Sequence, residues 1–118
     1  MEVQAVNKYQ RMSSKKMRDL ARRIQGCPVE EAVNITTFSE RKAATLIGKT
    51  LRSAIANAEH NHEADVDDLF VKLAVIEEGP TMRRGWYGAR GMFKPIAKRT
   101  CHVRIVLSDG VDETAEQA

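Results

Sequence analysis

The sequence predicts an α+β domain: three helices packed on a small three-stranded antiparallel sheet, with a long β-hairpin arm protruding from it. Three observations carry this. Strand-like patterns stand at the start of the chain and twice in its second half, with helical periodicity between them. Strands flanking a block of helices favour helices gathered on an antiparallel sheet over alternating βαβ units. The last two strand patterns are separated by far more chain than the two to five residues of an ordinary hairpin loop.

Residues 3–12, VQAVNKYQRM, alternate weakly and read as the first strand. Ser13 and Ser14 then offer an N-cap for SKKMRDLARRIQ, where Met17, Leu20, Ala21 and Ile24 recur at helical spacing. Gly26 fits the position just past a helix end, and Pro28 the first residue of the next helix. That second helix, PVEEAVNITTF, turns Val29, Ala32, Val33 and Phe38 inward. The third begins at Ser39 and is the longest. Ala43, Leu46, Ile47, Thr50, Leu51, Ala54, Ile55 and Ala58 make its continuous inner stripe. Gly48 in its middle costs about 1 kcal/mol relative to Ala, which close helix packing would offset. LFVKLAVIEE is short and rich in Val, Leu and Ile, as a strand should be. HVRIVLSD sets Val103, Ile105 and Leu107 against His102, Arg104 and Val106, the pattern of a half-buried strand. One domain over residues 1–109 is expected, its arm at about 80–102, with a disordered acidic tail at 110–118.

At 118 residues and 30% charged, with no apolar run of signal or membrane length, the chain reads as a soluble, unprocessed cytoplasmic protein. Cys27 and Cys101 lack CxxC spacing. Two buried thiols in a reducing cytosol are expected, with a structural disulfide as the alternative. The net charge of +3 is modest, but its distribution is not even. Residues 8–23 carry Lys8, Arg11, Lys15, Lys16, Arg18, Arg22 and Arg23 against Asp19 alone. Residues 81–104 carry Arg83, Arg84, Arg90, Lys94, Lys98, Arg99 and Arg104 against no acid. The acids collect at 59–68, at Glu77 and Glu78, and in the tail. A basic footprint opposed to an acidic remainder suggests a polyanion on one side.

Enzymatic readings fail on spacing. His60, His62 and His102 form no zinc pattern with the cysteines, and His60 and His62 read as solvent or RNA contacts. DVDD lacks the glycine and distal glutamate of a calcium loop and reads as a turn. GARG is too short for a phosphate-cradling or dinucleotide loop, and no Ser or Cys carries a nucleophile signature. No catalytic residue, metal or cofactor is expected.

The segment between the last two strands, RRGWYGARGMFKPIAKRT, is acid-free and mixes cations, glycines and aromatics. If the strands simply continued outward, roughly fifteen residues each way at ~3.3 Å would project ~50 Å. Gly85, Gly88 and Gly91 would bend or turn such an arm, and Pro95 speaks against a central strand. A lone two-stranded ribbon is marginal in water, so a partner that it enters should order it. Nucleic acid explains the composition. The cations neutralise phosphates and release counterions. Trp86, Tyr87 and Phe93 can stack on unpaired bases, and glycines permit close approach. Splayed bases favour RNA over duplex DNA, and no DNA or membrane partner is expected. A protein-binding loop with aromatic hot spots is the rival reading.

SSKKMRDLARRIQG, SAIANAEHN, DDLFV, EEGP and KRTCHVRIVLSD together resemble the universal large-subunit ribosomal protein of the L-twenty-two family, in its bacterial form. The resemblance implies a non-enzymatic α+β protein that binds large-subunit ribosomal RNA and acts early in subunit assembly. It also implies a hairpin tip at the constriction of the nascent-polypeptide tunnel, beside a loop of the fourth large-subunit protein. By position, Ser13, Lys16 and Arg18 match the first-helix motif. Arg83, Arg84, Ala89, Arg90 and Gly91 match the arm, and Lys98, Arg99, Thr100 and His102 its returning base. All are then expected to face RNA except Ala89 and Gly91, which are conformational. The tip, Trp86 to Met92, departs from the family pattern at Trp86, Tyr87, Gly88 and Met92.

Overall fold

The computed structural model describes residues 2–62 and 66–109, so the expected tail at 110–118 lies outside the described residues. In chain order it contains β1 (Glu2–Gln10), α1 (Ser14–Ile24), α2 (Val29–Phe38), α3 (Lys42–His62), β2 (Phe70–Glu78), β3 (Met82–Tyr87), β4 (Phe93–Lys98) and β5 (Cys101–Ser108). Short 3-10 turns occupy Val66–Asp68 and Ala89–Gly91. Three strands form an antiparallel sheet of order β1-β5-β2, and β3 and β4 form a separate two-stranded ribbon.

The inner face of the sheet is set by alternation along β5. Cys101, Val103, Ile105 and Leu107 are fully buried beneath the helices, while His102 and Arg104 face the other way. Val3 and Ala5 of β1 flank them on one side; Val71, Ala74 and Ile76 of β2 flank them on the other. Those β2 residues differ in parity, and a register shift between Val71 and Leu73 brings all three to the core side. α1 packs on β2, and α3 on β1 and β5, with α2 against α3. Met17, Leu20 and Ile24 of α1 and Ile47 and Leu51 of α3 are essentially inaccessible. Burial of each such side chain stabilises the fold by about 1.5–3 kcal/mol. Thr50 is the polar residue of the α3 stripe. Its hydroxyl accepts from Asn7 Nδ2 at 2.8 Å, and donates to the Leu46 carbonyl at 3.2 Å.

Several local expectations are met for physical reasons. Gly26 has φ +87°, the left-handed turn that ends α1, and its N–H bonds to the Val71 carbonyl at 2.7 Å. A Cβ on Gly48 would lie 3.3 Å from Thr36, so this glycine lets α2 and α3 approach closely. Others need correction. Phe38 is 81% exposed: nine residues after Val29, about half a turn out of phase, it lies away from the face that Val29, Ala32 and Thr36 bury. Pro28 caps α2 from outside rather than opening it, and α3 starts at Lys42 rather than at Ser39. Cys101 is buried, but Cys27 is only half-buried, and both are free thiols.

The arm is also shorter than a simple continuation of the strands would give. Each leg is six residues, a ladder of about 20 Å at ~3.4 Å per residue. Chain is consumed at both ends: Gly88 to Met92 makes the turn, and the sheet's own pairing runs on to Glu78 and Cys101. The arm nevertheless shapes the molecule. The radius of gyration is 17.6 Å, against about 13 Å for a compact chain of this length.

Candidate nucleic-acid interface

The sequence places cations where helix electrostatics disfavours them. Ser13 caps α1 by its backbone alone (φ −72°, ψ 142°), and its side chain makes no capping hydrogen bond. Ser14, Lys15 and Lys16 follow, with no acid in the first turn. α3 begins the same way, with Lys42 and no acid in its first turn. Helix N-termini carry partial positive charge, so a cation there is unfavourable until an anion arrives. The two starts meet at one cavity of about 420 Å³ lined by Met12, Lys15, Lys16, Asp19, Arg41, Lys42 and Ala43. Arg41 Nη1 donates to Asp19 at 2.8 Å, and this bond and charge hold the Asp19 carboxyl below its ordinary range. Lys42 Nζ donates to the Arg11 carbonyl at 3.0 Å, pinning the strand-to-helix turn to α3.

A second cavity, of about 640 Å³, lies on the other flank of the α1 start, at the base of the arm. Ser13, Ser14, Lys15, Arg18, Glu78 and Arg99 line it. Arg18 is held there by donation to the Ile76 carbonyl at 3.4 Å. The root itself is tied across the two strands: Gly79 N–H to the Thr100 carbonyl at 3.0 Å, and Thr100 Oγ1 to the Pro80 carbonyl at 2.6 Å. Gly79 is required by this packing, because a Cβ there would lie 2.7 Å from Thr100 Oγ1 and 3.1 Å from His102 Cε1.

Beyond the root, strand alternation sorts the arm's mixed composition onto two faces. The pairs Arg83–Ala97, Gly85–Pro95 and Tyr87–Phe93 share one face; Met82–Lys98, Arg84–Ile96 and Trp86–Lys94 share the other. Tyr87 and Phe93 meet edge-to-face, centroids 6.2 Å apart. A Cβ on Gly85 would fall inside the Phe93 ring, and one on Gly88 would overlap the Lys94 side chain. The unusual Gly88 thus makes room for Lys94 beside the turn. Arg90 turns the tip with φ +60° and Gly91 with φ +71°. Trp86, Tyr87, Met92 and Phe93 stay largely exposed. Nothing in the structure explains why Trp86 and Met92 stand at their positions.

Of the sequence-selected residues, Lys15 and Lys16 meet at the first cavity, and Ser13, Lys15, Arg18 and Arg99 at the second. Lys8, Arg11, Lys15, Lys16, Arg18, Arg83, Arg84, Arg90, Lys94, Lys98 and Arg99 are exposed. Arg22 sits in the last turn of α1, where its charge also complements the helix C-terminus. Thr100 is 6% exposed and engaged within the root, and His102 is half-buried against β1. Sequence reading missed Arg41 and Lys42. The available signal was a second helix opening on cations. It also missed Tyr9, which lay inside an unremarkable strand pattern. His60 is exposed. Among the described residues no group of His, Cys, Asp and Glu could hold a metal ion, and no helix is long and apolar enough to cross a membrane.

The sequence model of the family described as Ribosomal protein L22p/L17e matches residues 5–108. A "Large ribosomal subunit protein uL22" of Akkermansia muciniphila is 52% identical over 109 residues, covering 92% of this chain and 97% of that protein. A protein of the same name from Opitutus terrae is 56% identical over 110 residues, covering 93% and 97%. With an antiparallel α+β core, a paired arm and relatives more than half identical along nearly their whole length, the chain belongs to the L22p/L17e family of structural, non-enzymatic ribosomal proteins.

Proposed function

We propose that this chain binds large-subunit ribosomal RNA across the arm-root side of the domain, supports subunit assembly there, and lines the nascent-polypeptide tunnel with its tip. Neighbouring large-subunit proteins and the nascent polypeptide are its further partners. The observation that carries RNA binding is the convergence of two cation-bearing, acid-free helix starts on one cavity. Such a surface is unfavourable by itself and becomes favourable when a phosphate backbone runs across it. The arm supports the same reading. Its cations carry no acidic partner within the ribbon, and its two strands leave almost every side chain exposed. Assembly and tunnel lining follow from the family resemblance and from the reach of the arm.

The test is a salt titration of binding to deproteinised large-subunit RNA. Each phosphate neutralised contributes about 0.7–0.9 to the slope of log K against log salt. Lys15→Gln/Lys16→Gln should therefore lower the slope by about 1.4–1.8, with folding unchanged because both side chains are exposed. An unchanged slope, or no binding by the unaltered protein at moderate salt, would remove the proposal. A photoreactive residue replacing Trp86 should crosslink to nascent chains in translating ribosomes; crosslinks to RNA alone would remove the tunnel role.

A further inference from the structure

Tyr9 is held in a conformation that its own fold does not need. It lies in a strand, yet its φ is +59°, a left-handed geometry rare for any residue with a bulky side chain. The register explains how. Asn7 pairs with Val103 and Gln10 with Cys101, so Lys8 and Tyr9 together oppose His102 in a β-bulge. Bulges re-aim side chains, and this one turns the ring of Tyr9 outward, leaving it 64% exposed.

The exposed ring is nonetheless fixed. Tyr9 N–H donates to His102 Nδ1 at 3.0 Å, in place of a backbone carbonyl. The two rings meet edge-to-face at 5.1 Å and 89°. An edge contact of either sense leaves at least one π-face of Tyr9 uncovered by His102. His102 in turn fills the space that a side chain on Gly79 would take, and Gln10 Nε2 braces the bulge by donating to the Lys8 carbonyl at 3.1 Å. Strain held by several supporting contacts at an exposed aromatic points to use rather than to packing.

The chemistry of the surroundings selects the ligand. Lys8 precedes Tyr9 on β1, Arg11 follows just past the strand's end, and Lys98 and Arg99 lead from the arm into β5 beside His102; all four cations are exposed. The two acids that β2 sets opposite His102 and Cys101 have other surroundings. Glu77 pairs with Arg104, and Glu78 faces the cavity it shares with Arg18 and Arg99. A rigid aromatic face amid cations is suited to a flat, electron-rich group carrying phosphate. We infer that Tyr9, set by the bulge and by His102, is a stacking platform for one unpaired RNA base at the root of the arm. The inference rests on the RNA-binding reading above and adds to it a base-contacting site among phosphate contacts.

The experiment compares Tyr9→Leu, Tyr9→Phe and Tyr9→Gly with an arm variant, Arg83→Gln/Arg84→Gln, in binding to deproteinised large-subunit RNA. Tyr9→Leu should weaken binding by roughly 5- to 160-fold with no change in salt slope, because no charge is lost. Tyr9→Phe should stay within about twofold, since the stacking face is kept. Tyr9→Gly separates binding from folding. Glycine suits the left-handed backbone, so the protein should be no less stable, yet binding should fall as for Tyr9→Leu. Ultraviolet irradiation of intact large subunits should recover a Tyr9 peptide joined to a nucleotide. If Tyr9→Leu binds like the unaltered protein while the arm variant is weakened, the platform is overturned and RNA binding stands. If the unaltered protein fails to bind, RNA binding itself falls. A Tyr9 peptide found joined only to another protein would overturn the platform in favour of a protein contact.

Discussion

Gly79→Ala probes how the arm is fastened to the domain. The backbone there does not require glycine, so alanine should, by chain entropy alone, stabilise the fold by about 0.4–1 kcal/mol. The geometry opposes this. The new methyl would lie 2.7 Å from Thr100 Oγ1, 3.1 Å from His102 Cε1 and 3.3 Å from the Thr100 carbonyl carbon. Thr100 is buried and its hydroxyl is committed to Pro80 at 2.6 Å, so it has little room to retreat. Losing that bond costs about 1 kcal/mol. Overpacking adds about 1–3 kcal/mol. Net destabilisation should be about 1–3 kcal/mol, which lowers a urea midpoint by about 1 M for a domain of this size. Thr100→Ala removes the nearest clashing atom, so Gly79→Ala/Thr100→Ala should lose less than the sum of the single changes, by about 1 kcal/mol. Equilibrium urea unfolding followed by far-ultraviolet circular dichroism measures all of these. A Gly79→Ala midpoint at or above that of the parent, or strict additivity in the double variant, would refute the packing account of this glycine.

Two further outcomes are expected. Burial pushes the Cys101 thiol above its ordinary pKa and shuts it against Met17, whereas Cys27 is half-buried. At mildly alkaline pH iodoacetamide should modify Cys27 in the folded protein and reach Cys101 only after unfolding, as read by mass spectrometry; equal rates would contradict the packing. In the isolated protein, amides of residues 83–97 should exchange rapidly while those of α3 stay protected, because the ribbon has no third strand and no core beneath it. Comparable protection in both would show an arm stable without a partner.

The parts of this fold legible in the sequence are those where one local force dominates. The stripe from Ala43 to Ala58 and the alternation from Val103 to Leu107 each bury one face, and the chain has no other way to hide them. Gly26 was legible because few other residues take its backbone angle. What the sequence hid depends on partners distant along the chain. Phe38 is a different case: nine residues after Val29 it lies about half a turn out of phase with the buried face of α2, so its exposure follows from the helix geometry itself. The parity change at Val71 and Leu73 needs β5 for its detection, and the Tyr9 bulge needs His102. The candidate interface divides in the same way. Lys15, Lys16 and the arm cations stood out as blocks of like charge. Arg41 and Lys42 join them only because α3 begins beside α1, which no local pattern records.

The β1-β5-β2 order also bears on synthesis. Within the three-stranded sheet both outer strands pair with β5, and β5 is the last element of the described residues. While the three helices are being made, β1 therefore has no strand to bond, and β2 gains none from the arm that follows it. Every rung of the three-stranded sheet waits for Cys101 to Ser108, so the pairing is non-local and cannot accumulate strand by strand during elongation. A chain stalled just before Cys101 should show helical signal without the three-stranded sheet. Residues Cys101 to Ser108 thus decide at once whether the sheet closes and whether the two feet of the arm are brought together.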